Sequence, residues 1–230
     1  MDIHTQTTDG VLHIRLQRPQ RLNALTLSMS RELLKAVQTG VADASVRVLL
    51  LSGEGRAFCA GKDRDDPATG AFVDTLQALA LCLMNAPQPV VCAVQGWAVG
   101  AGLELMLNAD LTVAARSTRF ALPEVRVGLF GTGGIAALLP RLVGLQKAKG
   151  LLMLGEELDA QAAERLGLVW TVVNDEVLTD RAWAIALQLA SSDPRLLGEI
   201  KRLVHSETLG KLDAVLAREA AVHARLRADT

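Results

Sequence analysis

Short apolar segments rich in β-branched residues recur along the chain, and this pattern predicts strands. The predicted strands are residues 11–16 (VLHIRL), 46–53 (VRVLLLSG), 89–94 (PVVCAV), 111–115 (LTVAA) and 168–173 (LVWTVV). The segment 89–94 is expected to be a buried strand.

Helical periodicity fills the intervals between these strands. The predicted helices begin at Thr26, Ala71 and Gly102, and a longer one covers residues 134–154 with an interruption at Pro140. A shorter helix is predicted within residues 159–169, with Asp159 as its N-cap and Gly167 just beyond its end. The alternation of strands and helices predicts an α/β core.

The pattern changes near residue 176, beyond which no strand is predicted. The remaining segment is helical in period apart from a break at residues 191–194 (SSDP). No repeat, low-complexity tract or linker divides the chain. We therefore predict an α/β core over residues 1–175 and a helical C-terminal region over residues 176–230.

Composition narrows the classes of function. The 230 residues are 50% hydrophobic, and 24 basic side chains nearly balance 25 acidic ones. This charge balance supplies no basic field for nucleic acid, so neither nucleic acid nor a membrane is expected as a partner. The three cysteines lack disulfide or metal-ligand spacing, and no export signal or membrane span is evident. A reduced, cytoplasmic protein is expected.

One ionisable side chain, Glu104, lies in the otherwise uncharged segment 94–109 (VQGWAVGAGLELMLNA). This segment predicts a glycine-rich turn and a helix that opens near Ala101. The first amides of a helix have no partner within it, so they favour an anion or a developing oxyanion. A carboxyl group buried beside them would have a raised pKa, which suits it to act as a general acid or base.

A second glycine-bearing turn, residues 55–63 (GRAFCAGKD), follows a predicted strand, and two amides from two such turns can form an oxyanion hole. Glu124 is a second carboxyl group in an apolar setting. Simpler interpretations stay open at this point: Glu104 on a solvated helix face, and Glu124 in a surface ion pair with Arg126. The cluster of aspartates that follows the turn predicts a solvated loop rather than a metal site: Asp63, Asp65 and Asp66.

Five motifs, in order along nearly the whole chain, resemble the crotonase superfamily, also called the enoyl-CoA hydratase/isomerase family. They are RPQRLNAL (18–25), RAFCAGKD (56–63), PVVCAVQGWAVGAGLELMLNAD (89–110), RFALPEVRVGL (119–129) and GEELDAQAAERLGLVWTVV (155–173). The resemblance implies an α/β fold built as a spiral of β-β-α units with two roughly perpendicular sheets. It also implies a C-terminal helical trimerisation region, and hence homotrimers or dimers of trimers.

The resemblance further implies a site for an acyl-CoA thioester. The two amides that hold the thioester oxygen in the family correspond to Lys62 and Ala101. In family hydratases the glutamate matching Glu104 activates the water that attacks C3, and the one matching Glu124 exchanges a proton at C2. The remaining substrate-binding positions implied by the motifs are Arg21, Leu22, Ala60, Gly61, Asp63 and Gly100. Arg18 and Arg21 match the stretch near the adenine end of CoA.

Possession of both glutamates favours reversible hydration of a trans-2-enoyl-CoA, with no metal and no cofactor beyond the thioester substrate, in fatty acid metabolism. The alternatives are a Δ3-Δ2 enoyl-CoA isomerase using mainly Glu124 and a catalytically silent acyl-CoA or acyl-carrier binding homologue. The sequence departs from the family at Phe130, where proline is usual, at Ala101, where glycine is common, and at Lys62. It also ends at Thr230, earlier than is usual in the family, so substrate gating is expected to differ.

Overall fold

The computed structural model describes residues 2–67 and 69–228 as an α/β fold with two sheets. These residues form nine strands: β1 Ile3–Thr8, β2 Val11–Leu16, β3 Val48–Gly53, β4 Val90–Val94, β5 Trp97–Val99, β6 Leu111–Ala115, β7 Arg119–Ala121, β8 Glu157–Asp159 and β9 Thr171–Val173. The same residues form nine α-helices: α1 Leu27–Ala42, α2 Gly70–Asn85, α3 Ala101–Leu107, α4 Ile135–Val143, α5 Leu145–Leu154, α6 Ala160–Arg165, α7 Leu178–Ala190, α8 Pro194–Leu209 and α9 Leu212–Ala228. Within the part of the chain so described, no helix combines the length and apolarity needed to cross a membrane.

The larger sheet has the strand order β1-β2-β3-β4-β6-β9. Every neighbouring pair from β2 to β9 is parallel, and helices carry the crossovers between them. All five strands predicted from the sequence are confirmed within this sheet, with boundaries shifted by three residues at most. Their apolar character follows from burial, because β4 is buried along its whole length and helices cover both faces of the sheet.

Strand β1 was not predicted from the sequence. It pairs antiparallel with β2 through the two-residue turn Asp9–Gly10, in which both residues have positive φ. An Asp-Gly pair is favoured in such tight hairpin turns. Only Ile3 in the strand is buried, because β1 lies at the edge of the sheet and most of its side chains face solvent. An edge strand of this kind lacks the apolar pattern that identified the central strands.

The smaller sheet, β5-β7-β8, positions two segments that matter for the site. Strands β5 and β7 are parallel, and Val99 pairs with Ala121 at their ends. Helix α3 starts two residues beyond β5, and a 3₁₀ turn, Pro123–Val127, starts two residues beyond β7. Because parallel strands end at the same edge of a sheet, both segments leave the small sheet side by side.

The helix predicted over residues 134–154 is interrupted, but not at Pro140 as expected. Pro140 lies inside α4, and the break falls at Gly144, between α4 and α5. Proline removes a single backbone donor, and the short α4 tolerates that loss. Gly144 has φ 79° and ψ 158°, a conformation that no helix can continue through. The predicted N-cap of the shorter helix is confirmed, since the Asp159 carboxylate accepts a hydrogen bond from the Ala162 amide at 2.7 Å.

The C-terminal region is helical, as predicted, and its first helix covers one face of the larger sheet. Leu178, Ile185 and Ala186 of α7 pack against the sheet residues Leu50 and Val91. Helix α8 begins at the end of the break that was predicted at residues 191–194, and α9 follows it along the chain. Helix α8 exposes a set of large apolar side chains: Leu196, Ile200, Leu203 and Val204. Assembly into trimers would suit such a surface, and it stays a prediction.

Candidate active site

Glu104 lies in α3 with only 1% of its surface exposed, so it does not lie on a solvated helix face. Its Oε2 accepts a hydrogen bond from the Gly133 amide at 3.2 Å. Its Oε1 is buried and accepts no hydrogen bond from residues 2–67 or 69–228. Burial raises the pKa of Glu104 well above its ordinary value, and the negative charges of Glu124 and Glu219 raise it further.

Glu124 lies in the 3₁₀ turn that follows β7, and it is half-buried. One of its carboxyl oxygens lies against Gly100, where a Cβ atom would come within 2.5 Å of Glu124 Oε1. The other oxygen, Oε2, is buried and lacks a partner among the residues that the structure describes. Burial raises the pKa of Glu124. The proposed surface ion pair with Arg126 does not form, since Arg126 donates to the Gly155 carbonyl at 2.9 Å.

The amides of Lys62 and Ala101 come from two segments that pack closely together. The Leu25 amide donates to the Gly61 carbonyl, and the Leu25 carbonyl accepts from the Asp63 amide. The N–H of the intervening Lys62 therefore faces away from Leu25. Ala101 is the first residue of α3, so its amide has no partner within the helix. Neither amide donates a hydrogen bond to any residue in the described ranges 2–67 and 69–228. Both are therefore free to bind a carbonyl oxygen.

Glycines permit this close approach. Gly61 has φ 91°, and a Cβ atom there would lie 2.7 Å from the Val99 carbonyl oxygen and 3.6 Å from the Ala101 amide nitrogen. A Cβ atom on Gly102 would overlap the carbonyl oxygen of Cys59. Gly100 has φ 52°, which allows the chain to turn from β5 into α3. Small residues thus bring the two free amides to the same side of the small sheet.

The aspartate loop after Lys62 is solvated at Asp65, as predicted, but not at Asp63. Asp63 is only 3% exposed, because Arg18 binds its Oδ2 at 2.6 Å and Arg21 binds its Oδ1 at 3.2 Å. The hydrogen bond from the Asp65 amide and the Arg18 guanidinium lower the pKa of Asp63 to about 2. Both arginines therefore hold this loop together, and Arg21 also pairs with Asp65.

The other residues predicted to bind substrate lie around this loop. Leu22 has φ 52° and its carbonyl accepts the Ala60 amide at 3.0 Å, which joins the 18–25 motif to the glycine turn. The Lys62 ammonium donates to the carbonyl oxygens of Asp63 and Asp66. It also lies 5.5 Å from the centre of the Phe72 ring. The side chain of Lys62 therefore braces its own loop and does not extend into solvent.

Groups that could hold a metal ion are absent from the residues 2–67 and 69–228: no cluster of three or more His, Cys, Asp or Glu side chains has suitable geometry. The site presents two carboxyl groups, each with a buried oxygen, and two free amides. Such a set can move protons to and from a substrate while it stabilises a negative oxygen.

Comparison with known proteins identifies the family. The family model described as "Enoyl-CoA hydratase/isomerase" matches residues 6–229.

The chain belongs to this family.

Two proteins of Escherichia coli K12 are similar in sequence to this enoyl-CoA hydratase/isomerase family member along most of its length. A 1,2-epoxyphenylacetyl-CoA isomerase is 39% identical, covering 91% of this chain and 84% of that protein. A 2,3-dehydroadipyl-CoA hydratase is 33% identical, covering 91% of this chain and 84% of that protein. The crystal structure of an enoyl-CoA hydratase from Mycobacterium avium subsp. paratuberculosis K-10 superposes with a TM-score of 0.94 at 28% identity, covering 98% of this chain and 93% of that chain.

A third buried carboxyl group in this family member was not predicted from the sequence. Glu219 of α9 is 2% exposed and accepts hydrogen bonds from the amides of Gly134 at 2.8 Å and Ala136 at 2.7 Å. Burial raises the pKa of Glu219 to about 7, although the two amides act in the opposite direction. The residue lies in a helix of mixed polar and apolar residues, and no local pattern marks it as buried.

The three raised pKa values predict how stability depends on pH. A carboxyl group whose pKa is higher in the folded state than its unfolded value of about 4.3 binds its proton more tightly when folded. Its contribution is full below that unfolded pKa and is lost as pH rises through the folded pKa, which is about 7 for Glu219. In Glu104→Gln one such group is absent. The free energy of unfolding should therefore fall less steeply as pH rises than in the wild type, by up to about 1.4 kcal/mol per pH unit.

This prediction is tested by denaturant unfolding of the wild type and of Glu104→Gln at several pH values between roughly 5 and 8. His13 acts in the opposite sense, since burial lowers its pKa to about 4, and it acts equally in both proteins. The difference between the two proteins therefore reports Glu104 together with its coupling to Glu124 and Glu219. Glu156→Gln, at an exposed position, is the matched control and should keep the wild-type pH dependence. Parallel curves for the wild type and Glu104→Gln would contradict the raised pKa.

Proposed function

We propose that this protein is an enoyl-CoA hydratase, which adds water reversibly across the double bond of a trans-2-enoyl-CoA. One observation carries the proposal: Glu104 is buried and Glu124 is half-buried, and each has one buried carboxyl oxygen without a partner among residues 2–67 and 69–228. The two glutamates lie shortly after the neighbouring strands β5 and β7 of the small sheet, beside the free amides of Lys62 and Ala101. Unpartnered buried carboxyl oxygens are costly, and a bound water and substrate would satisfy them.

In the proposed reaction the thioester oxygen binds to the amides of Lys62 and Ala101. Glu104, as the carboxylate, accepts a proton from water as the water oxygen forms its bond to C3. The π electrons of the C2–C3 bond shift toward the thioester, and the resulting enolate oxygen is stabilised by the two amides. Glu124, as the carboxylic acid, then donates a proton to C2. The product contains the added water, and one proton passes from Glu104 to Glu124 through solvent to restore the starting state.

The pKa directions support a role in proton transfer for both glutamates. A general acid or base works best when its pKa is near the operating pH, and burial raises the pKa of both glutamates toward that range. The negative charge of Glu124 raises the pKa of Glu104 further, which favours a state in which one of the two groups is ionised and the other is protonated. Hydration requires that combination, because one group accepts a proton while the other donates one.

Δ3-Δ2 double-bond isomerisation is the second candidate, and the 39% identity to a 1,2-epoxyphenylacetyl-CoA isomerase favours isomerase chemistry in general. An isomerase removes a proton from one carbon and returns it to another, so it needs no bound water. Glu124 alone would supply that base and acid. The same amides of Lys62 and Ala101 would stabilise the enolate in both reactions.

A panel of thioesters distinguishes the two candidates. Crotonyl-CoA, a 3-enoyl-CoA and 1,2-epoxyphenylacetyl-CoA would each be incubated with the purified protein. The products would be separated by liquid chromatography and their masses measured by mass spectrometry. Hydration adds the mass of one water molecule, whereas isomerisation changes the retention time without changing the mass. We expect the hydrated product of crotonyl-CoA. Isomerised products alone would favour the second candidate, and binding of every thioester without turnover would indicate a catalytically silent homologue.

A further inference from the structure

Helix α9 contacts the loop that covers Glu104 at both ends. The loop, residues 130–134 (FGTGG), is here called the cover loop. At its start, the carbonyl oxygen of Phe130 lies 2.8 Å from His223 Nδ1. At its end, the Gly134 amide donates to Glu219 Oε2 at 2.8 Å. Glu219 and His223 are four residues apart, so they share one face of α9.

The cover loop is in direct contact with the Glu104 carboxyl group. The Gly133 amide donates to Glu104 Oε2, and a Cβ atom on Gly131 would overlap Glu104 Oε1. Asn108, one turn along α3, holds the same loop from the other side by donating to the Gly133 carbonyl at 3.2 Å. The position of the loop therefore sets the position and the hydrogen bonding of Glu104.

Glu219 is held by more than packing. Its two carboxylate oxygens bind the Gly134 and Ala136 amides at the start of α4, where the helix dipole favours negative charge. In the described ranges 2–67 and 69–228 no cation forms an ion pair with it. The ionisable groups around it are Glu104 on α3, which its charge affects directly, and His223 on α9. Arg141 of α4 is engaged with the carbonyl oxygens of Ala137 and Thr208.

We propose that Glu219 is a positioning residue for Glu104: through the cover loop it fixes the Glu104 carboxyl group, and its own carboxylate adds a negative charge to the surroundings of that group. His223 shares the first task but not the second, because it anchors the start of the loop and adds no negative charge there. The kinetic consequence rests on the proposed function. The effect on Glu104 itself does not.

The proposal predicts different results for two variants. In Glu219→Gln the negative charge is lost and one of the two amides loses its acceptor, so the pKa of Glu104 should fall. In His223→Phe only the loop anchor is lost, so the pKa of Glu104 should change less than in Glu219→Gln. Both variants should lower kcat by roughly 10- to 100-fold with little change in KM, because a misplaced catalytic group costs rate rather than binding. Only Glu219→Gln should move the acid limb of the kcat/KM profile to lower pH.

Carbon-13 NMR of glutamate-labelled protein measures the titration of Glu104 directly, with Glu104→Gln used to assign its carboxyl signal. Leu216→Ala is the matched control, because it truncates a buried side chain on the same helix at a position whose carbonyl accepts a hydrogen bond from Gln77 of α2. It should lower the melting temperature but leave the Glu104 titration and the pH profile unchanged. Glu219→Asp keeps the charge, and should retain most of the wild-type titration even where Glu219→Gln folds poorly.

The outcomes separate this proposal from the proposed function. A Glu104 signal that titrates identically in the wild type and Glu219→Gln would overturn the positioning role, whether or not any thioester is turned over. An equal displacement of the Glu104 titration in Leu216→Ala would also overturn the positioning role, because the displacement would then reflect lower stability alone. If Glu219→Gln displaces the Glu104 signal while no thioester reacts, the positioning role stands and the hydratase assignment fails.

Discussion

Replacing Glu104 by glutamine is expected to lower kcat/KM for hydration of a 2-enoyl-CoA by roughly 10²- to 10⁴-fold, the range that a single general acid or base supplies. Glutamine keeps the size of the side chain, and its amide oxygen can still accept the bond from Gly133. It cannot accept a proton from water at neutral pH. The loss should therefore appear mainly in kcat, with KM for the thioester changed little, because the two amides that bind the carbonyl are untouched.

Glu124→Gln should be similarly impaired in hydration, since it cannot protonate C2. The two variants should diverge in isomerisation, where Glu104→Gln is expected to retain activity and Glu124→Gln to lose it. Exchange of the C2 proton with deuterated solvent gives a separate measurement of the Glu124 step. Glu156→Gln, at an exposed position, is the control for purification and folding. Hydration at the wild-type rate in both Glu104→Gln and Glu124→Gln would rule out the catalytic assignment.

The parts of the fold that the sequence predicted are those in which burial leaves a local pattern. Strand β4 is buried along its whole length, so its residues are apolar and the strand was identified. Strand β1 is held by hydrogen bonds on one side only and exposes most of its side chains, so the same method missed it. The three-residue strands β5 and β7 are too short to show any period. The sequence did not predict either strand, and only the presence of a second sheet was implied, by the resemblance to the family.

Prediction of the site depended on contacts between distant segments. The pattern around Glu104 left its burial undecided, because the cover loop that buries it lies nearly thirty residues further along the chain. Asp63 is buried for a similar reason, since its partner Arg18 is 45 residues away in sequence. Glu219 is still more remote, at 85 residues from the Gly134 amide that it binds. Local periodicity cannot report such pairings, whereas a family resemblance can when its motifs include both partners.

Replacing Lys201 by methionine should reduce the free energy of unfolding by about 3 kcal/mol, the lower end of the range for breaking a buried ion pair. The Lys201 side chain is 7% exposed, and its ammonium lies 2.8 Å from Asp110 Oδ2. It also donates to the carbonyl oxygens of Leu83 at 2.9 Å and Gln88 at 3.2 Å. Burial lowers the pKa of Lys201, and the Asp110 carboxylate opposes that effect. Methionine would leave all three acceptors without this donor.

The lower end of the range applies because the Asp110 side chain is 22% exposed and still accepts the Val90 amide at 2.7 Å. Urea unfolding of Lys201→Met, Asp110→Asn and the double variant forms a thermodynamic cycle. The double variant should lose less stability than the sum of the two single variants, because the second change removes a charge that the first left unpaired. Lys147→Met, at an exposed position, should be nearly neutral. A strictly additive cycle would show that this ion pair contributes nothing to anchoring α8 beside the end of α3, and that packing and the bonds from Lys201 to the Leu83 and Gln88 carbonyls hold the helix.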